Sequence, residues 1–449
     1  MQTLIMSMSG TRGIVGEALT PHVALQTAIA FGQFVGEGPV VIGGDTRTSH
    51  DMIKFATISG LLAVGIDVID IGRVPTPTVQ QAIRRYGARG GIVVTASHNP
   101  VIWNGLKLMN KDAGFLTASE YAAYSQFFVS QDNVSFAGWQ KIGQYTADPT
   151  ALDFHIDHIL AQIDPTPIRA AKLRVLIDPN NGAGCVADPI LLDKLGVTYT
   201  ILNADPNGRF SHDPEPLEKN LSAIKAEMST GNYDIGFVQD ADADRLVILD
   251  ETGRFIGEDY SLGLCIDHVL AMEKQSNPTV VVNLSTSQVI EDITNRYGGT
   301  VIYTKIGEAN VTEGIRTHRS VVGGEGNGGV IYPRIGWGRD SLAGIVIALH
   351  YLATSKKTVS QIVANYPRYV MSRDKISVKT SEEVRNLVKK VATAYQHLPQ
   401  NTEDGVKIAL ESGWVQVRGS NTEPIVRIFV EGPSEAACLQ VQADIRAMI

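Results

Sequence analysis

A chain of 449 residues is longer than the roughly 250 residues at which one hydrophobic core stops growing, so several domains are expected. Its 44% hydrophobic and 19% charged content, with 43 glycines, is that of a globular protein rich in tight turns and argues against disorder. A net charge of −8 gives no general attraction to nucleic acid or to an anionic membrane, while a local basic cleft for phosphates stays compatible with it.

The N-terminal MQTLIMSMSG has neither a basic stretch nor a long apolar run, and no later run nears the roughly 20 apolar residues of a membrane span. Three widely spaced cysteines, Cys185, Cys265 and Cys438, form neither a disulfide framework nor a Cys-X-X-Cys zinc site. A reducing, cytoplasmic setting is expected.

Short β-branched runs follow one another along the chain, each closed by a glycine-rich or polar turn and followed by helical spacing. They are VVIGG at 40–44, GIVVT at 91–95, LRVLID at 173–178, IGFVQD at 235–240, TVVVN at 279–283 and VIYT at 301–304. Continuous apolar strands alternating with helices read as parallel or mixed sheets covered on both faces. The pattern changes after Tyr366-Pro367-Arg368, where a helical SEEVRNLVKKVATAYQ precedes VKIALES, GWVQVRG and IVRIFVEG, which read as antiparallel strands. The expected fold class is therefore α/β, with three consecutive mixed-sheet α/β domains at 1–150, 151–253 and 254–368 and a smaller C-terminal α+β domain at 369–449.

In GGIVVTASHNP a buried strand runs into a turn enforced by Asn99-Pro100, which leaves Ser97 and His98 beyond the carboxyl end of a strand, where ligands of open α/β sheets sit. Ser97 reads either as an ordinary turn residue or as a reactive group. As its base His98 is poorly placed, because neighbouring side chains of an extended segment point to opposite sides. A phosphate carrier needs charge stabilisation more than a resident base, and suits Ser97 better.

QDADADR at 239–245 follows another apolar strand and alternates Asp240, Asp242 and Asp244 with alanines, so that an extended loop directs all three carboxylates to one side. To share one hard cation the loop must curve, which Ala241 and Ala243 permit. Three protein oxygens leave positions open for a phosphate oxygen, as Mg²⁺ chemistry requires; a solvated acidic turn is the alternative.

VRGSNTEPIVR at 417–427 packs Arg418, Ser420, Asn421 and Thr422 together, either as a phosphate cradle or as a plain β-turn. VGGEGNGG at 322–329 carries Glu325 and Asn327 among glycines and reads as a ligand-approaching loop or a flexible connection. Taken singly, Arg12 in SGTRG and Lys107 in NGLK read as solvated surface residues.

Together these segments resemble the α-D-phosphohexomutase superfamily: TASHNP at 95–100, DADADR at 240–245, GEGNGG at 324–329 and RGSNTEP at 418–424 stand in that family's order and span nearly the whole chain. The resemblance implies four domains around a central cleft, supplying in turn a phosphoserine loop, a metal loop, a sugar-recognition loop and a phosphate-binding loop. It implies that Ser97 is phosphorylated and contributes to the metal site, and that Asp240, Asp242 and Asp244 bind one Mg²⁺ per chain. Arg12, Lys107, Arg245 and His98 then belong to the catalytic set, with Lys107 as general acid/base. Glu325, Asn327, Arg418, Ser420, Asn421 and Thr422 would bind the substrate.

The implied reaction interconverts a hexose 6-phosphate and a hexose 1-phosphate through a sugar 1,6-bisphosphate that is both intermediate and activator. Two departures bear on the sugar. Asn327 with Gly328-Gly329 stands where many glucose- and mannose-type members have Ser followed by His, and Glu308 in KIGEANV stands where some have His or Asp. The GEGNGG form is similar to that of archaeal-like phosphoglucosamine mutases, which points to glucosamine phosphate, with glucose and mannose phosphates as the alternative. A metal-dependent sugar phosphatase and a silent sugar-phosphate binder are the competing classes. The expected partner is a small phosphosugar, with no nucleic acid and no membrane, in a monomer or homodimer.

Overall fold

A computed structural model describes residues 4–129, 134–378, 380–419 and 425–448. The chain forms two compact units, Met1–Ser261 with Gly328–Ile362, and Leu262–Asn327 with Val363–Ile449. Helices and mixed sheets alternate in both, the α/β class that the apolar runs predict.

In the first unit a seven-stranded sheet has the spatial order Ile5–Ser7, Gly10–Ile14, Trp103–Asn110, Gly90–Val94, Val40–Gly44, Val68–Arg73, Tyr145–Ala147. The apolar runs Val40–Gly44 and Gly90–Val94 are buried throughout and pair in parallel, as strands covered on both faces must be. Helix Pro21–Val35 starts where the Thr20 side chain accepts from the Val23 amide and proline takes an early position whose N–H would be unused. It packs against the helix His50–Ala63 over a core that includes Phe31, Ile53 and Leu61. Two antiparallel pairings at the end of this sheet matter for function. Trp103–Asn110 sets Lys107 opposite Val93, and Gly10–Ile14 sets Arg12 opposite Gly105.

A second sheet of this unit has the order Leu246–Leu249, Ile235–Gln239, Arg174–Asp178, Thr198–Ile201. Ile235–Gln239 and Leu246–Leu249 are antiparallel with Gln239 opposite Leu246, so Asp240–Arg245 is the closed end of a hairpin.

In the second unit Thr279–Asn283 runs parallel to Thr300–Thr304 and to Val322–Glu325. A five-stranded antiparallel sheet follows, ordered Val370–Ser377, Ile425–Gly432, Gly413–Gly419, Val406–Leu410, Gln400–Asn401, with helices Ser381–Ala394 and Glu435–Arg446 packed on it. Its core is aliphatic, with Val391, Val406, Ile408, Val415, Val417, Ile428 and Val430 all buried.

Three segments expected as loops or surface are strands instead. Val322–Glu325, Gly10–Ile14 and Trp103–Asn110 each lie inside a sheet, and their glycines serve close approach of neighbouring chains. A Cβ on Gly323 would come 2.3 Å from the Val281 carbonyl oxygen, a contact no side chain tolerates. Cys185, Cys265 and Cys438 are free thiols and buried. Among the described residues no helix is long and apolar enough to cross a membrane.

Candidate active site

Ser97 lies just past the strand Gly90–Val94, is 2% exposed, and has φ = 50°, the left-handed region that a serine seldom adopts. The turn is held from beneath by Arg47, whose guanidinium is completely buried. Nη2 donates to the carbonyls of Ser97 and Asn99, each at 2.7 Å, and Nη1 to those of Pro100 and Trp103 at 2.8 and 2.9 Å. Nε donates to Asp45 Oδ2 at 3.1 Å, and the ring of Phe210 stacks 4.9 Å away. Asp45 also accepts from Thr95 Oγ1, which in turn accepts from the Ser97 amide at 2.8 Å. Burial pushes the Asp45 carboxyl up, and Arg47 beside it works against that rise.

The left-handed turn overturns the expected separation of Ser97 and His98. Because the segment is not extended here, the two side chains fall on one side, with His98 Nδ1 3.3 Å from Ser97 Oγ. Burial and the nearby Arg245 and Arg12 hold the His98 ring well below its usual range, so the imidazole is neutral.

Ser97 Oγ donates to Asp240 Oδ2 at 3.1 Å, which joins the serine loop to the aspartate hairpin. The hairpin curves as three shared carboxylates require: Ala243 has φ = 53°, and Asp240 Oδ1 accepts from the amides of Asp244 and Arg245, both at 3.1 Å. One oxygen from each of Asp240, Asp242 and Asp244 lies within 4.8 Å of the others, within reach of one hard cation. Lys107, 1% exposed, donates to Asp242 Oδ2 at 2.5 Å and to Asp244 Oδ2 at 3.0 Å. Thr76 donates to Asp242 Oδ2 through its hydroxyl and to the Asp242 carbonyl through its amide.

The Oδ2 atoms of Asp242 and Asp244 thus face protein donors, while the buried Oδ1 atoms have no hydrogen-bond partner among the described residues. A buried carboxylate oxygen without a donor is costly unless something positive reaches it. An all-oxygen donor set with two such atoms fits a hard divalent ion such as Mg²⁺.

The charges around the hairpin separate its acids. Burial and the neighbouring Asp244 and Asp242 push Asp240 well above the carboxylate range. For Asp244 burial acts upward, but Arg339, Lys107 and Arg245 outweigh it and hold the carboxyl below that range. Burial acts downward on Lys107, yet Asp242 and Asp244 raise it, so the ammonium is protonated. Lys107, expected singly as a surface residue, is therefore one of the most enclosed groups of the site. Arg12 is half-buried and donates to Asn99 Oδ1 at 3.3 Å. Arg245 Nε stands 3.9 Å from Asp240 Oδ2 and 3.8 Å from Asp244 Oδ1.

The second unit holds the other residues. Glu325, at the end of its strand, accepts from Asn283 Nδ2 at 2.8 Å and from the Gly307 amide at 3.1 Å. Next to it the Gly326 amide donates to Thr286 Oγ1 at 3.1 Å. Asn327 is half-buried, and Glu308 is buried at the start of the helix Glu308–His318. Arg418 is buried, with Nε on Asp404 Oδ1 at 2.9 Å, and Asp404 Oδ2 accepts from the Ile306 amide at 3.0 Å. Ser420, Asn421 and Thr422 lie outside the described residues.

Arg47, Thr76 and Arg339 escaped the sequence reading. The only linear hint was polar GDTRTS and GWGRDS segments bordering apolar runs, a signal too common to select an arginine.

Matches along the chain agree with this arrangement. Phosphoglucomutase/phosphomannomutase α/β/α domains I, II and III match residues 4–132, 153–253 and 257–369, and the C-terminal domain of the same family matches 374–448. A phosphoglucomutase/phosphomannomutase of Thermococcus kodakarensis is 38% identical over 434 residues, covering 95% of this chain and 94% of the relative. A probable phosphoglucosamine mutase of Methanopyrus kandleri is 36% identical, covering 97% and 95%. A solved phosphoglucomutase/phosphomannomutase family protein of Burkholderia thailandensis superposes with a TM-score of 0.84 at 26% identity, over 99% of this chain and 97% of that one. The protein is a phosphohexomutase, an isomerase of the intramolecular phosphotransferase kind. It belongs to the phosphoglucomutase/phosphomannomutase family.

Proposed function

We propose that Ser97 carries the phosphoryl group, that Asp240, Asp242 and Asp244 hold Mg²⁺ beside it, and that the preferred reaction interconverts glucosamine 6-phosphate and glucosamine 1-phosphate. The observation that carries the first two parts is Ser97 Oγ, 3.1 Å from Asp240, whose cluster with Asp242 and Asp244 keeps two buried carboxylate oxygens without a hydrogen bond among the described residues.

When bound, the cation neutralises charge on the phosphoryl oxygens during transfer. The chain's own residues do the rest. Arg47 fixes the backbone of Ser97, so that Oγ keeps its place whether or not it carries phosphate. In the first transfer the Oγ–P bond breaks, phosphorus bonds to the sugar hydroxyl oxygen, and Lys107 gives its proton to the departing Ser97 Oγ and takes up the one the sugar hydroxyl releases, giving the bisphosphate. In the second, the bond between phosphorus and the sugar oxygen that first carried the phosphate breaks, phosphorus bonds to Ser97 Oγ, and the serine proton passes by the same route to the departing sugar oxygen. Protonated Lys107 supplies positive charge and the acid for the departing oxygen, and as a base it would first have to give up that proton. Burial of Ser97 supports transfer between sugar and serine over loss to water.

Replacing Ser97 with alanine is expected to abolish turnover while leaving substrate binding within about tenfold of the parent. Normal turnover would sink the assignment.

For the sugar, Glu325 offers a buried carboxylate already bonded to two neutral donors, suited to pair with a glucosamine ammonium. The name of the Methanopyrus relative supports this reading. The name of the Thermococcus relative favours glucose and mannose phosphates, whose hydroxyls the same carboxylate would accept from, and that is the second reading. The test compares kcat/KM for the 1-phosphates of glucosamine, glucose, mannose and N-acetylglucosamine with bisphosphate present. Glucosamine is expected to lead, and a strong preference for mannose would overturn the choice.

A further inference from the structure

The start of the helix Ser341–Ser355 is built against the aspartate hairpin. Arg339 is buried, and its Nη2 donates to Asp244 Oδ2 at 2.8 Å. Ser341 Oγ donates to the Ala243 carbonyl at 2.6 Å and accepts from Gln239 Nε2 at 2.9 Å. Between them Asp340 caps the helix: Oδ1 accepts from the amides of Leu342 and Ala343 at 2.9 and 3.1 Å. Its Oδ2 accepts from His155 Nε2 at 2.9 Å, and Nδ1 of the same ring lies 2.9 Å from Thr78 Oγ1. Gly329 makes room for the arginine, since a Cβ there would stand 2.2 Å from Arg339 Cδ.

Two features of the hairpin depend on this segment. Ala243 is in the left-handed region, which an alanine occupies only when its surroundings enforce it, and Ser341 grips the carbonyl of that residue. Asp244 presents one oxygen to Arg339 and Lys107, and the opposite oxygen is the one without a hydrogen-bond partner.

We propose that Arg339 and Ser341 are positioning residues for the metal loop: Ser341 holds its curve, and Arg339 occupies Oδ2 of Asp244 so that Oδ1 faces the ion. This rests on reading Asp240, Asp242 and Asp244 as the magnesium ligands. Arg339 acting only as a counter-charge predicts the opposite sign, because removing a cation beside the site would tighten metal binding.

The test measures Mn²⁺ affinity by electron paramagnetic resonance on the full-length, dephosphorylated enzyme. Arg339→Gln is expected to weaken Mn²⁺ binding about tenfold or more, and Ser341→Ala about threefold or more, as loss of groups behind metal ligands does. Arg339→Lys should recover part of the loss. With Mg²⁺ saturating, kcat should fall in Arg339→Gln while KM for the sugar phosphate stays within about threefold, the mark of a residue that acts through the metal loop. Unchanged or tighter Mn²⁺ binding in Arg339→Gln overturns the proposal. Should that variant fail to fold by circular dichroism, unchanged binding in Ser341→Ala overturns it. Absence of Mn²⁺ binding in the parent would bring down the metal assignment itself, a result separate from failure in the variants alone.

Discussion

The serine loop and the aspartate hairpin meet at one hydrogen bond but are built on opposite principles. Around Ser97 the polar groups are used up: one buried arginine satisfies four carbonyls and a carboxylate. In the hairpin Asp242 and Asp244 each have one oxygen held and one without a donor. The first arrangement keeps the backbone of Ser97 in place, as the proposed phosphate carrier needs through repeated transfers. The second leaves carboxylate oxygens that the proposed cation would use.

The contrast breaks most severely if Arg47 is dispensable. Arg47→Met leaves buried carbonyls and Asp45 without their partner and is expected to cost about 3–5 kcal/mol. Urea denaturation measures it, and a loss below about 1 kcal/mol would mean that water replaces the arginine.

Next in size is the response to metal. Chelation should remove activity without altering far-UV circular dichroism, and Mg²⁺ at 100 times its dissociation constant should stabilise the fold by about 2.7 kcal/mol. Loss of secondary structure on chelation would show the hairpin to be as structural as the serine loop.

Two buried polar groups outside the aspartate hairpin sharpen the comparison. Asp188 is fully enclosed; burial pushes its carboxyl well above the usual range, and Gln239 Nε2 donates to it at 3.2 Å. The folded state therefore keeps a proton that the unfolded chain gives up near pH 4, and stability falls as pH rises from there. Asp188→Asn should flatten that slope and gain about 1 kcal/mol or more at pH 8, read from denaturation at several pH values.

The smallest effect is expected at His50, buried with neither ring nitrogen bonded among the described residues and pushed down to about 4 by burial. Its folded pKa lies below the unfolded value, so stability is lost as pH drops from about 6.5 towards 4. His50→Leu should raise stability at neutral pH by about 1 kcal/mol, with unaltered kcat.

Much of this was legible in the chain. Apolar runs predicted the strands Val40–Gly44, Ile235–Gln239 and Thr279–Asn283, and the alternation of aspartate with alanine predicted three carboxylates on one curved loop. What stayed hidden depends on dihedral angles and on distant partners. His98 was misjudged because a left-handed residue at Ser97 reverses the facing rule for extended chain. Val322–Glu325 was misjudged because glycines that permit a loop also permit tight strand packing. Arg47 and Arg339 carry no periodicity, and their roles exist only once remote segments are folded against them.

The site is also a record of how much chain must be gathered to make it. Arg47 reaches Ser97 across 50 residues, Arg339 reaches Asp244 across 95, and Thr76 reaches Asp242 across 166. Each closure carries an entropic cost that grows with the intervening length. On refolding from urea, catalytic activity should return later than helical circular dichroism, so that turnover reports the final, long-range stage of folding. Simultaneous recovery would place these closures among the earliest events.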